Sequence, residues 1–168
     1  FSLDTFRAGI AQKAVEHYNI SIINDISAGD MDPAMIDTIA RLKVPYIAMH
    51  MQGTPQTMQQ NPSYEDIAEE VVRYFAQKCD QLREAGIHDI IIDPGFGFGK
   101  TIAHNFELLN NLDAFKVFEM PVLAGLSRKS MIFKTLGQKP EDSLNGTTVI
   151  NTLALLGGAD ILRVHDVK

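Results

Sequence analysis

A single cysteine, Cys79, stands in 168 residues, so no disulfide can close within them. That suits a reducing compartment. Cys79 falls at helical spacing with Ile67, Val71, Phe75 and Leu82, which predicts a small buried hydrophobe rather than a reactive thiol. Positive charge is also scarce: 15 Lys and Arg stand against 21 Asp and Glu, for a net charge of −6. A general nucleic-acid surface needs clustered basic side chains, so none is expected here. No apolar run approaches the roughly 20 residues that cross a bilayer, and no signal-peptide pattern is found. The expected location is the cytoplasm. No Cys/His group has zinc spacing, and His17, His88 and His104 read as surface or helix-flanking residues. Gly95–Thr101 comes near the phosphate-binding pattern G-x-x-x-x-G-K-[ST], but Pro94 stands where its first glycine belongs. No serine nucleophile with its own base stands out.

What the chain does have is alternation. With 45% hydrophobic and 21% charged residues it reads as one globular domain over residues 1–168. Six apolar runs predict strands at Phe1–Asp4, Ser21–Asn24, Tyr46–His50, Asp89–Asp93, Val122–Gly125 and Ile161–His165. Between them lie segments of helical period. The first, from Phe6 to His17, places Ile10, Ala11, Ala14 and Val15 on one face. The second opens at Asp32-Pro33, a cap followed by proline, and runs to Lys43. The third starts near Ser63 with Asp66 three residues on, and Gly86 closes it. A fourth covers Ile102–Leu112, and Arg128–Leu136 and Asp142–Leu156 follow, separated by Gly137 and Pro140.

Regular strand–helix alternation implies an α/β fold with parallel strands and right-handed crossovers. Either an open doubly wound sheet or a (β/α)₈ barrel satisfies it. No G-x-G-x-x-G follows the first strand, which weakens the dinucleotide-binding version. Polar residues close nearly every strand, which favours a barrel, because barrel sites are assembled from all the βα loops.

Those strand ends are the candidate site. Asp4, Asn24, Met49-His50 and Asp93 end the first four strands; Gly125 to Lys129 follow the fifth, and Arg163 to Asp166 close the sixth. Taken singly, each has a bland reading as a cap, turn former or solvated charge. Together they suit a flat polar heterocycle. Carboxylates accept from ring N–H and amino groups, an amide both donates and accepts, and lysine donates to a carbonyl. Arginine can stack its guanidinium on such a ring. Asp93-Pro94-Gly95-Phe96-Gly97-Phe98-Gly99-Lys100 forms the floor, with Phe96, Phe98 and Met49 as apolar walls or simply as core. Ser127-Arg128-Lys129-Ser130 opens a helix and could receive an anion, and His165 beside Arg163 a second one.

The ordered set of motifs resembles the dihydropteroate synthase family of folate biosynthesis. The matching segments are Ser2–Thr5, Ile23–Ile26, Met49–Gln59, Asp93–Lys100, Ser127–Met131 and Arg163–Asp166. The resemblance implies a TIM barrel of which these residues supply strands three to eight. Two earlier βα units and a final helix are then expected outside them. The family condenses 6-hydroxymethyl-7,8-dihydropterin pyrophosphate with 4-aminobenzoate, releasing pyrophosphate, and so acts as a transferase. By that resemblance the pterin pocket comprises Asp4, Asn24, Ile26, Met49, Asp93, Gly125, Lys129 and Arg163. Phe98 and Ser130 face 4-aminobenzoate, and Arg163 and His165 hold pyrophosphate. Asp4, Lys129 and Arg163 carry the chemistry. Magnesium is the implied cofactor, with its protein ligand in the earlier units, and a homodimer through outer helices is the implied assembly. A related reading is a pterin-binding methyltransferase serving a corrinoid, which has no use for the two anion sites. A different one is an inactive barrel fragment.

Overall fold

In the computed structural model, residues 1–58 and 60–166 are described. Six parallel strands alternate with helices: β1 Ser2–Asp4, β2 Ile22–Asp25, β3 Tyr46–Met49, β4 Ile90–Asp93, β5 Leu123–Ala124 and β6 Ile161–Leu162. The helices are α1 Ala8–Tyr18, α2 Met35–Leu42, α3 Ile67–Glu84, α4 Ile102–Asn110, α5 Ser130–Phe133 and α6 Leu144–Gly157. Short 3-10 segments at Leu112–Phe118 and Pro140–Asp142 complete the crossovers. The strands pair in sequence order within two sheets, β1 to β4 and β5 with β6, and a single Ile92–Val122 bridge links the two. Gln59, the last residue of the third matching segment, lies outside the described residues.

Register decides which side chains share a face. Asp4 pairs with Asn24, and Met49 with Asp93. Because successive residues point to opposite faces, Asp4, Asn24, Met49 and Asp93 all face the same way at the C-terminal ends of their strands. The other face is sealed by helices. Along α3 the stripe Ile67, Val71, Phe75, Cys79 and Leu82 is buried against it, and burial pushes the Cys79 thiol up to about 11.

The sheet is strongly curved. Strands lie about 4.8 Å apart, so four steps on a flat sheet would separate β2 from β6 by about 19 Å. Yet the guanidinium of Arg163, after β6, lies 3.3 Å from the Asn24 carboxamide on β2.

Several boundaries differ from those expected. β6 ends at Leu162 rather than His165, because the His165 amide donates to the Ser127 hydroxyl instead of a neighbouring strand. α1 begins at Ala8, not Phe6, and Ile10 is exposed on it. Asp32 does not cap α2, which starts at Met35. Its carboxylate accepts from the amides of Ala34 and Ala8, so it also ties down the first turn of α1. α3 starts at Ile67 with Asp66 as the cap itself, accepting from the Glu69 amide. The helix expected over 128–136 shrinks to Ser130–Phe133; its start is delayed because Arg128 takes a left-handed backbone (φ 53°), which a continuing helix does not accommodate. Among the described residues no helix is long and apolar enough to cross a membrane.

Candidate functional site

The polar ends of β1, β2, β4 and β6 form one connected network. The Asn24 carboxamide donates to Asp4 Oδ1 at 2.7 Å and accepts from Arg163 Nη1. Arg163 Nη2 reaches Asp93 Oδ2 at 2.9 Å. The other oxygen of Asp93 accepts from the Gly95 amide at 2.8 Å. Asp93 is fully buried and Asn24 nearly so, whereas Asp4 is open to solvent and Arg163 half-buried. A buried carboxylate with both oxygens engaged is a prepared acceptor for N–H groups.

Gly125 makes room for the arginine. A Cβ added there would meet Arg163 Nη2 at 2.6 Å, so the guanidinium lies directly over the glycine backbone. Met49, fully buried, sits beside Asp93 in the ladder.

The loop after β4 brings in the second half of the site. Gly95, Gly97 and Gly99 all have positive φ, and the loop is pressed onto the end of β3. At Gly95 a Cβ would collide with the His50 carbonyl at 1.9 Å, so only glycine fits. Lys129 runs along Gly97 and places Nζ 4.4 Å from the centre of the Phe98 ring. Burial lowers the Lys129 pKa, Asp93 opposes the shift and Arg163 adds to it. Lys129, Phe98, Asp93 and Arg163 therefore share one locality.

Three sequence-predicted residues, Ile26, Ser130 and His165, make no hydrogen bond within that network among those described. Ile26 borders a shallow hollow with Asp4, Thr5 and Arg7. Ser130 opens a helix of only four residues beside Lys129. His165 is exposed and its Nδ1 lies 3.1 Å from the Ser127 hydroxyl. Among the described residues no three His, Cys, Asp or Glu side chains are grouped to hold a metal.

Sequence reasoning assigned no bracing role to the groups that hold the site in shape, although Arg128, Asp166 and Lys100 fall within its candidate segments. Asp25, next to Asn24 but on the opposite face, accepts from the Ser27 amide and hydroxyl, the Gly29 amide and the Tyr46 hydroxyl. Arg128 forms a two-pronged ion pair with Asp166, raising its own pKa and lowering that of Asp166. That pair ties the loop carrying Lys129 to the end of β6. Lys100 is buried against His50. The hydrophobic pattern could have flagged none of them, because charged residue types ordinarily read as surface.

Residues 1–165 match the pterin binding enzyme family. The chain belongs to that family. As a pterin binding enzyme it is 41% identical to the dihydropteroate synthase of Escherichia coli (strain K12) over 169 residues, covering 99% of this chain and 59% of that protein. A Yersinia pestis dihydropteroate synthase solved in a sulfonamide drug complex superimposes with a TM-score of 0.95 at 38% identity, over 99% of this chain and 61% of the other. The Xanthomonas albilineans enzyme in complex with 7,8-dihydropteroate gives a TM-score of 0.90 at 39% identity, over 99% and 61%. The chain thus spans about three fifths of the length of these three relatives.

Proposed function

We propose that this chain forms the pterin-facing part of a dihydropteroate synthase, with its six strands corresponding to strands three to eight of a (β/α)₈ barrel. One observation carries the reading: Asp4, Asn24, Asp93 and Arg163, from four separate strand ends, meet in a single hydrogen-bonded network. Likeness to the Escherichia coli and Xanthomonas albilineans enzymes supplies the chemistry for that network.

In the reaction, the bond between the pterin methylene and pyrophosphate breaks, and the amine of 4-aminobenzoate forms a C–N bond and loses a proton. The buried Asp93 carboxylate and the Asn24 carboxamide accept from and donate to the pterin edge, with Met49, Ile26 and Gly125 lining the pocket. Arg163 now occupies Asp93. Substrate takes over that carboxylate, and the freed guanidinium covers the ring and, with His165, takes up pyrophosphate charge. Asp4, held by the Asn24 amide, faces the positive charge that develops on the methylene. Lys129 donates to the pterin and borders Phe98, which walls the 4-aminobenzoate site, while Ser130 receives its carboxylate. A weakly basic aromatic amine attacks such a cation unaided, so no strong general base is required.

Magnesium fits the charge of the pyrophosphate leaving group, and among the described residues no cluster of His, Cys, Asp or Glu is placed to hold it. The cytoplasm is the compartment this reading assigns, on the single buried Cys79. A homodimer is proposed through the outer helices, supported by exposed Leu144, Val149, Leu153 and Leu156 on α6. The test is direct. The full-length protein should release pyrophosphate and form 7,8-dihydropteroate only when both substrates are present. Pterin binding without this turnover, joined to corrinoid-dependent methyl transfer, would replace the reading with the methyltransferase.

A further inference from the structure

We propose that Lys100 is a positioning residue: seated on His50, it holds the Gly95–Gly99 loop in the shape that brings Phe98 beneath Lys129, and so sets the site of the aromatic amine. The inference rests on the dihydropteroate synthase reading and adds to it a residue that touches neither substrate.

Lys100 is only 3% exposed, and its ammonium group makes three contacts. Nζ donates to the carbonyls of Gly95 at 3.0 Å and Phe98 at 3.1 Å, and lies 3.0 Å from His50 Nδ1. An ammonium has three N–H donors, and here each has its acceptor. The two carbonyls bracket the glycine-rich turn, so the lysine spans the loop from inside, like a peg through both ends. The third contact anchors the peg to the end of β3.

For that contact to be a hydrogen bond, His50 must be neutral with Nδ1 bare. The surroundings enforce this. Burial, with the Lys100 charge added, pulls the imidazole down to about 3. The ring is wedged between Tyr74, edge-on at 4.9 Å, and Tyr64 at 6.3 Å. Tyr64 in turn donates to the Gly99 carbonyl at 2.9 Å. From the far side Asn105, on α4, accepts from the Gly97 amide at 2.7 Å. The loop is therefore held at Gly95, Gly97, Phe98 and Gly99, and the Lys100 contacts reinforce the turn that the Phe98 amide closes on the Gly95 carbonyl at 3.1 Å.

A buried charge is an expensive way to secure a loop, since burial brings this lysine down to about 7 despite help from Asp93. What it secures is the Phe98 ring, the platform on which Lys129 rests. Asp93 keeps two holds that do not run through the peg, its pairing with Met49 in the ladder and its ion pair with Arg163, so the pterin edge depends on the peg less than Phe98 does.

The experiment compares full-length wild type with Lys100→Met and His50→Gln. Steady-state kinetics with each substrate varied are combined with hydrogen exchange at the loop amides, and thermal melts confirm that the variants fold. Lys100→Met is expected to raise KM for 4-aminobenzoate at least tenfold, to leave pterin affinity within threefold, and to speed exchange at 97–99. His50→Gln should move the same parameters in the same direction by less. An unchanged KM for 4-aminobenzoate, or equal losses for both substrates, overturns the proposal. Absence of turnover and of pterin binding in the wild type would instead sink the functional reading, and loop exchange unchanged in Lys100→Met would sink the peg whatever the activity.

Discussion

At the scale of single residues, the site depends on side chains whose partners come from other strands. Asp93 is the clearest case, since both of its oxygens are occupied and it is fully buried. Asp93→Asn removes the charge that pairs with Arg163 and replaces one acceptor with a donor. Pterin binding should weaken by about 2–4 kcal/mol, read by calorimetry as a roughly 30- to 1,000-fold rise in Kd. Unchanged affinity would remove Asp93 from the pocket. Gly125 tests the same network from below. In Gly125→Ala the new methyl enters space held by Arg163 Nη2, so the guanidinium must shift. Turnover should fall roughly 10- to 100-fold, as misplacement of a positioned group does, while the melting temperature barely moves.

At the scale of elements, helix ends show how local and distant signals divide the work. α3 ends its own first turn with Asp66, and Glu70 reaches back to the Glu65 and Asp66 amides. Asp66→Ala should cost about 1 kcal/mol, seen as a drop of about 2–4 °C in Tm. α1 is different. Its N-cap Arg7 makes no side-chain cap, and Asp32 from the following βα loop supplies the acceptor. Removing Asp32 should therefore loosen two helices, and hydrogen exchange near Ala8 would show it. The amphipathic stripe of α3 was fully legible in the sequence, because burial of one face repeats every third or fourth residue. The late start of α5 was not. Arg128 there is locked by Asp166, 38 residues away, and no local propensity reports such a partner.

At the scale of the whole molecule, buried titratable groups shape the pH dependence of stability. His50 is pulled from 6.5 to about 3 by burial and by Lys100. Between those values the unfolded chain binds a proton that the folded one refuses. Stability therefore falls as pH drops below 6.5, by roughly 3 kcal/mol at pH 4.5. His50→Gln should flatten that limb of a Tm-versus-pH curve. Lys100, pulled from 10.5 to about 7, works in the same sense higher up, so stability should rise with pH from about 7 towards 10. Above that the hydroxyls of buried Tyr46 and of partly buried Tyr64 and Tyr74, all shifted upward chiefly by burial, reverse the slope. A melting series that shows no upturn between pH 7 and 10 would contradict the Lys100 environment. Sheet edges give a second expectation. Among the described residues β1 pairs only with β2 and β6 only with β5. The isolated 168-residue chain should thus self-associate, as open edges do, and sediment as more than a monomer.

From sequence alone came the alternation of strand and helix, the stripe on α3, the polar residues at nearly every strand end and the family to which the motifs belong. All of these are periodic or local, and a linear chain displays them. Only the tertiary structure decided that the sheet curls far enough for Arg163 to bridge Asn24 and Asp93, that Asp25 braces the turn after β2 against Tyr46 while Asn24 serves the site, and that Lys100 lies inside the fold. The physical reason is the same in each case. A charged side chain is stable in the interior only where particular acceptors surround it, and those acceptors are assembled by folding from segments that do not adjoin in the chain.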